Sequence, residues 1–549
     1  MTAIAPGLRP GHALVAGYTA VAVAYVVSRL SLLGRFPPHT DEATFAKWAL
    51  DGYEKPGPAL FEALASGQQP LLPWLGAASM TFGVEPLTAV RLVSFAAGAL
   101  TLAVVATFAT RLFGQWTGLL AGALYALAPF TLLYGVLGLY DPLATFFIAT
   151  AMVLQYEHAR RPRLDLALLL GLTLAGAVLT KLTAYSALYL VPLSALVFDW
   201  SRSGLPRRLF AWVGGLAIAF LLAFVATRVL LLSELADDLE TARQLLAQHS
   251  VGEALADPER WIRQNWPVYR NVIHVYLTLP LVVAAAVGLG LLLRRDRRVG
   301  AFIGLWIAIP LGGLVLLSST PYGRWVLIVA PQLILLAAHG LLETVRRVAG
   351  AELRRPVRRA AVAGLACAAL LPAVWFDLRL LADPTGPRLP RVDDVAYITG
   401  YASGTPWENV AARLRARTRR AQGPVVVAAG GFCCSVLPLE LRRDAHLAIA
   451  SAETDDRADA LFGIENGVPL PARADGLTWR RLATVERPRG DAPVHLYESG
   501  IVVELEFAST PTELRRLVGG ADADFDDFVA ARPAVGAWLA AWYRAFEPA

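Results

Sequence analysis

Apolar runs of about 20 residues, each closed by a short polar stretch, recur from residue 13 to residue 381. Runs of that length fit the ~30 Å hydrocarbon core of a bilayer. In order they predict eleven membrane-spanning helices, near 13–33, 87–110, 116–135, 141–156, 164–180, 183–199, 209–232, 271–293, 299–317, 325–345 and 360–381. Residues 34–70 interrupt the pattern. Pro37-Pro38 is followed by Ala43–Leu50 and Ala59–Ala65, whose apolar positions recur at helical spacing. These predict helices lying in the membrane interface across 41–66. Leu71–Phe82 is apolar but short, and predicts a re-entrant or interfacial piece.

The pattern changes after residue 381. No later run is long enough to span, and Val425–Ala429, His446–Ala450, Thr478–Val485, Val494–Tyr497 and Ile501–Phe507 predict strands. Glu408–Ala421 and Ala521–Phe546 predict helix. The fold class expected is therefore a polytopic α-helical membrane protein, residues 1–381, with a soluble α/β domain at 382–549. Gly430-Gly431 after a strand lacks the spacing of a nucleotide-binding fingerprint and is expected to be a turn.

Charge orients the spans. Arg160, Arg161 and Arg163 follow the fourth span, Arg202, Arg207 and Arg208 the sixth, and Arg294, Arg295, Arg297 and Arg298 the eighth. Arg346, Arg347, Arg354, Arg355, Arg358 and Arg359 follow the tenth. Each basic loop follows an even-numbered span, so the positive-inside rule places the N-terminus in the cytoplasm and the C-terminal domain outside.

Composition agrees with this class. Hydrophobic residues make up 56% of the 549, beyond ordinary soluble usage. The net charge of +6 is accounted for by cytoplasmic loops, so no nucleic-acid partner is expected. Lysine occurs only at 47, 55 and 181, arginine supplying the other basic residues. Cys367, Cys433 and Cys434 match neither a zinc spacing nor a disulfide framework. The first apolar run lacks a clear cleavage site and is read as a retained span.

With this topology, Asp41, Glu42, Asp141, Lys181 and Arg324 all fall on the outer side. Each has two readings. Asp41 and Glu42 either cap the helix that follows and suit its dipole, or carry chemistry. Asp141, with Pro142 next, suits the start of a span as well as a site. Lys181 either snorkels to the interface or presents a point charge to a phosphate. Arg324 either forms a structural pair or uses its planar fork on phosphate oxygens. Arg91 is a similar candidate. His39 beside Asp41-Glu42 is either a solvated loop residue or part of a metal site with Asp41 and Asp141, holding a divalent ion such as Mg, Mn or Zn.

Several stretches together resemble the GT-C superfamily of polyprenyl-phosphate-sugar-dependent glycosyltransferases, above all the protein O-mannosyltransferase and lipid A aminoarabinose transferase-like group, glycosyltransferase family 39 and relatives. Asp41-Glu42 is similar to the group's first acidic motif, and Tyr140-Asp141-Pro142-Leu143 to its second. Gln69-Pro70-Leu71-Leu72-Pro73-Trp74-Leu75 resembles its K-P-P-L-x-Y-W-L stretch, and Arg91-Leu92-Val93-Ser94 its A-R-L-x-S segment. Thr180-Lys181 and Tyr322-Gly323-Arg324-Trp325 resemble its sites near the donor phosphate. These matches cover residues 13–345 in order. The segment from Leu389 to Gly400 resembles a bacterial subset of the group. One departure stands out: Gln68-Gln69 replaces the lysine before the Pro-Pro.

The resemblance implies a GT-C fold in a bacterial plasma membrane, and transfer of a hexosyl or pentosyl group from a polyprenyl-phosphate sugar to a lipid, glycan or protein acceptor on the extracytoplasmic face. Asp41 would be the base, assisted or oriented by Glu42. Lys181, Arg324, Tyr322 and Arg91 would hold the donor phosphate, and Asp141 would orient the acceptor or ligate a metal. The alternative class is a transporter or flippase of a lipid-linked saccharide, whose inverted repeats and mid-membrane breaks are not seen.

Overall fold

The structure, a computed structural model, describes residues 10–236, 250–351, 355–419, 425–431, 436–444, 447–451, 460, 462–467, 470, 478–490 and 493–499. It divides into two compact units: Met1–Phe36 with Trp48–Val392, and Pro37–Lys47 with Asp393–Ala549.

The first unit is helical. Its order begins α1 (Pro10–Leu33), α2 (Thr40–Glu54, divided between the units after Lys47), a 3-10 run at Pro58–Ser66 and α3 (Leu71–Met80). Next come α4 (Pro86–Phe113), α5 (Gln115–Leu127), α6 (Pro129–Tyr134), α7 (Tyr140–Arg160) and α8 (Leu164–Thr180). Short helical turns fill Leu182–Val197. The order continues with α9 (Leu205–Thr227), α10 (Val251–Ala256), α11 (Pro258–Leu277), α12 (Leu279–Arg295), α13 (Arg297–Leu317), a 3-10 segment Gly323–Val329, α14 (Ala330–Gly350) and α15 (Arg355–Ala382).

Among the described residues six helical segments are long and apolar enough to cross a membrane: Gly11–Leu33, Pro86–Phe113, Leu205–Leu232, Arg297–Leu317, Gly323–Gly350 and Arg355–Ala382. The pair α11 and α12 makes a seventh if counted as one bent span. The chain is a multi-pass membrane protein.

Helix occupies all eleven expected intervals, but several are not simple rods. The interval 116–135 breaks at Ala128, which is extended because Pro129 follows. Leu164–Thr180 and Leu182–Val197 are apolar but short. The α7 helix has spanning length but carries Asp141, Glu157 and Arg160. The expected straight span 271–293 is corrected most. The chain turns through 98° between Leu277 and Leu279, with Thr278 at φ 60°. Pro280 lacks the N–H that would continue the helix. Only α12 is apolar, from Leu279 to Leu293, whereas α11 carries Arg260, Arg263, Asn265, Arg270 and His274.

The most buried of the apolar segments is Gly323–Gly350. Glycines bring α12 against it. A Cβ added to Gly288 would stand 2.0 Å from the carbonyl oxygen of Leu336, and one on Gly340 2.0 Å from that of Ala284. Within a bilayer, such small residues let dispersion contacts between backbones hold helices together.

The second unit holds α16 (Arg391–Asp394, of which Asp393 and Asp394 lie in this unit), a π-helical turn at Val395–Thr399, α17 (Trp407–Thr418), α18 (Val436–Leu441) and five strands. The strands are β1 (Val425–Gly431), β2 (Leu447–Ser451), β3 (Phe462–Asn466), β4 (Trp479–Val485) and β5 (Val494–Ser499), ordered β2-β1-β3-β5-β4. The β1–β2 and β1–β3 pairs are parallel, and the β3–β5 and β5–β4 pairs antiparallel. Buried Glu498 on β5 pairs with Arg417, at 2.7 Å, and with Arg480. The α/β reading is right, with two amendments. Gly430-Gly431 continues β1 opposite Glu465 and Asn466 and does not turn. The central strand β3 was not expected, because Phe-Gly-Ile-Glu-Asn has neither alternation nor β-branched enrichment. The expected elements at 501–507 and 521–546, and Cys433-Cys434, lie outside the described residues.

Candidate active site

In the membrane unit, three expected residues come together. Leu139 is extended and delivers Tyr140 and Asp141 into the first turn of α7. The α8 helix ends at Thr180, leaving Lys181 in extended backbone before the next helical turn. Arg324 opens the 3-10 segment that runs into α14. The Lys181 Nζ donates to Asp141 Oδ1 at 2.6 Å, and Arg324 Nε lies 3.8 Å from Asp141 Oδ2. The Asp141 side chain is 2% exposed, and those of Lys181 and Arg324 are 14% and 13% exposed. One buried carboxylate thus faces two cations that are each partly exposed.

Aromatic rings border these cations. The Lys181 ammonium lies 5.8 Å from the Trp325 ring centroid, the Arg324 guanidinium 4.8 Å from that of Tyr322, and the two rings are 5.2 Å apart. Lysine and arginine over ring faces gain quadrupole attraction without losing their hydrogen-bond donors. The Tyr140 hydroxyl donates to the main-chain oxygen of Gln69 at 2.7 Å, tying the Gln68-Gln69 turn to the start of α7.

A buried ion pair broken from one side leaves an uncompensated charge, at a cost of about 3–5 kcal/mol. Lys181→Met should therefore destabilise the fold by about that much, and Asp141→Asn combined with Lys181→Met by clearly less than the sum of the two single changes. Thermal unfolding of the four proteins in detergent checks this; additive effects would mean that the pair does not act as a unit.

Arg91 is buried in α4, and its Nη1 donates to the carbonyl oxygens of Leu33 at 2.6 Å and Phe36 at 3.0 Å. That guanidinium nitrogen is committed to the chain leaving α1. Two further arginines act similarly and were not singled out from sequence. Buried Arg29 donates to Ala126 O at 2.6 Å and Thr131 Oγ1 at 3.1 Å, with its guanidinium 4.3 Å from the Tyr25 ring centroid. Arg35 donates to the last carbonyls of α15, those of Leu381 at 2.8 Å and Ala382 at 3.0 Å.

In the second unit, the segment before α2 is held by chain more than 350 residues away in sequence. Thr40 N donates to Ala402 O at 3.1 Å and Gly404 N to Pro38 O at 2.7 Å, with His39 bridged antiparallel to Ser403. The His39 ring lies 4.9 Å from that of Tyr397. A Cβ on Gly404 would stand 2.1 Å from Pro38 O, so only glycine permits this approach.

The two adjacent carboxylates then separate by role. Glu42 is fully buried, and its Oε2 accepts from His39 N–H at 2.9 Å, the reciprocal arm of a capping box. The Asp41 side chain is 36% exposed, and its Oδ2 lies 3.8 Å from His39 Nδ1. That nitrogen accepts from the Asp41 N–H at 3.1 Å. Elsewhere in this unit burial pushes the Arg487 guanidinium down to about 10, beside the Asn466 side-chain oxygen at 2.8 Å.

These surroundings do not fit a divalent ion. Asp141 already faces an ammonium and a guanidinium, and His39 Nδ1 is taken by a main-chain N–H. Among the described residues no group of three or more His, Cys, Asp and Glu gathers at metal-holding spacing.

The arrangement of helices is a GT-C fold. Residues 67–227 match the family model for dolichyl-phosphate-mannose-protein mannosyltransferase. No curated protein matches the chain in sequence. Among solved structures it is similar to ArnT from Cupriavidus metallidurans bound to undecaprenyl phosphate, with TM-score 0.58 and 16% identity over 89% of this chain and 98% of that one. The apo state of the same protein gives TM-score 0.56 and 15% identity over 88% and 98%. It is also similar to the archaeal oligosaccharyltransferase AglB from Archaeoglobus fulgidus, in complex with an inhibitory peptide and a dolichol-phosphate, with TM-score 0.51 and 12% identity over 83% and 69%.

Proposed function

We propose that the protein is a membrane glycosyltransferase that moves a sugar from a polyprenyl-phosphate donor to an acceptor hydroxyl on the extracytoplasmic face of a bacterial inner membrane. The observation that carries this reading is the Lys181–Asp141–Arg324 cluster, two cations gathered on one buried carboxylate with their own side chains partly exposed. A polyprenyl phosphate leaving group gains negative charge as the bond to the sugar breaks, and preorganised cations stabilise it there. The similarity to ArnT bound to undecaprenyl phosphate, and to AglB with dolichol-phosphate, supports the donor class.

The reaction we propose is a single displacement. The acceptor oxygen attacks the anomeric carbon from the side opposite the phosphate and forms the new C–O bond. The C–O bond to phosphate breaks, its electron pair leaving with polyprenyl phosphate. The acceptor's proton passes to Asp41, the partly exposed carboxylate of the pair. Glu42, engaged at the helix cap, positions that turn. One displacement inverts the anomeric centre. Lys181 and Arg324 hold the phosphate, with Tyr322 backing the guanidinium and Asp141 keeping both cations aimed.

Purified protein supplied with a polyprenyl-phosphate sugar and a hydroxyl acceptor should release polyprenyl phosphate and form a product of inverted anomeric configuration, read by NMR. Retention of configuration would overturn the mechanism. Gly404→Val should lower the transfer rate at least tenfold through the Pro38–Thr40 segment, with donor binding unchanged. Measuring kcat against donor Kd separates the two, and a wild-type kcat would remove Gly404 from the account.

A further inference from the structure

The strongest unassigned feature is α11. Its inner side is anchored on the end of α13: Asn265 Nδ2 donates to Val315 O at 2.9 Å and Ser318 O at 2.8 Å, and the Tyr269 hydroxyl lies 2.8 Å from Ser318 Oγ. At about 100° per residue, Ile262, Trp266 and Ile273 form a second stripe beside that anchored side. Ile262 is 45% exposed and Trp266 39% exposed. Arg270 borders the apolar stripe and is exposed, with no ion-pair partner among the described residues. Arg263 lies next to it and pairs with exposed Glu259. The opposite side is polar and exposed: Arg260, Asn271 and Gln264, whose Nε2 also donates to Ser319 O at 3.0 Å.

The 98° turn at Thr278 joins this helix to α12, which is apolar from Leu279 to Leu293. A helix nearly at right angles to an apolar neighbour of 17 residues is placed to run along the bilayer surface. One that also carries an apolar stripe flanked by arginine has the pattern of an interfacial helix. We propose that α11 lies in the outer bilayer surface, with Ile262 and Trp266 at the boundary of acyl chains and headgroups and Arg270 on the phosphate of an anionic phospholipid. Tryptophan suits that depth, its ring apolar and its N–H polar. Cations near an anionic surface gain attraction that zwitterionic lipid does not give. Because Asn265 and Tyr269 hold Ser318, the start of the loop that leads to Arg324, lipid at α11 supports the site from outside it.

The test uses the full chain in lipid nanodiscs, with Cys367, Cys433 and Cys434 replaced by serine and a nitroxide attached at Ile262→Cys, Trp266→Cys or Gln264→Cys. Labels at 262 and 266 should be reached by oxygen and shielded from a water-soluble nickel chelate, and the label at 264 should show the reverse. Equal nickel access at all three positions would overturn the placement. Replacing a quarter of the phosphatidylcholine by phosphatidylglycerol should raise the unfolding midpoint, and Arg270→Ser should remove most of that rise. An unchanged rise in Arg270→Ser would overturn the headgroup contact. Neither readout depends on transfer activity, so failure of this proposal and failure of the glycosyltransferase reading are distinguishable.

Discussion

Asp41→Asn is expected to slow transfer by about 10²–10⁴-fold, the range a positioned general base supplies, while leaving the unfolding midpoint and donor affinity close to wild type. The expectation rests on the unequal settings of two neighbouring carboxylates. Glu42 accepts the His39 N–H and is fully buried, so it holds the entry to α2. Asp41 keeps a partly exposed side chain, and an amide of the same size occupies the same place. Glu42→Gln should behave oppositely. It weakens a charge-assisted cap, costs about 0.5–2 kcal/mol and lowers the rate mainly through lost folded protein. Initial rates normalised to folded protein, measured with thermal melts on both variants, separate these roles. A normal rate in Asp41→Asn would remove it as the base.

Gly340→Val is expected to have the largest effect on stability. The position where a Cβ would sit is 2.0 Å from the carbonyl oxygen of Ala284, and that oxygen belongs to helix backbone and cannot rotate aside. The α12 and α14 helices must part, at or above the upper end of the ~1–3 kcal/mol usual for overpacking. The same helix that contains Gly340 follows directly from the Arg324 segment, so loss of this packing should also loosen the cation cluster. Gly290→Ala on α12 is the control, because no atom lies within 4 Å of its added Cβ. Thermal unfolding in detergent should show a large drop for Gly340→Val and almost none for Gly290→Ala. Equal, small shifts would mean the helices do not pack through these glycines.

Much of this was legible in the chain. Charged residues at the ends of apolar runs are costly unless matched, and in a chain with three lysines Lys181 stood out. Its convergence on Asp141 with Arg324 could be anticipated from boundary positions alone. The division of labour between Asp41 and Glu42 could not. It depends on Pro38 and Thr40 pairing with Ala402 and Gly404, a contact across more than 350 residues that leaves no local pattern. Arg29 was hidden within the first apolar run, because its partners are main-chain carbonyl and hydroxyl groups that sequence does not mark. Arg91 looked free for phosphate for the same reason. The turn at Thr278 was missed because apolar residues continue across it, and Leu279-Pro280 was the signal available.

The central claim is that a polyprenyl phosphate is held at the Lys181–Asp141–Arg324 cluster. Native mass spectrometry of the purified protein titrated with undecaprenyl phosphate tests it most directly. A one-to-one complex is expected for the wild type, with at least tenfold weaker binding in a folded Lys181→Met, Asp141→Asn protein and in Arg324→Met. No complex with the wild type, or equal binding by all three proteins, would contradict it.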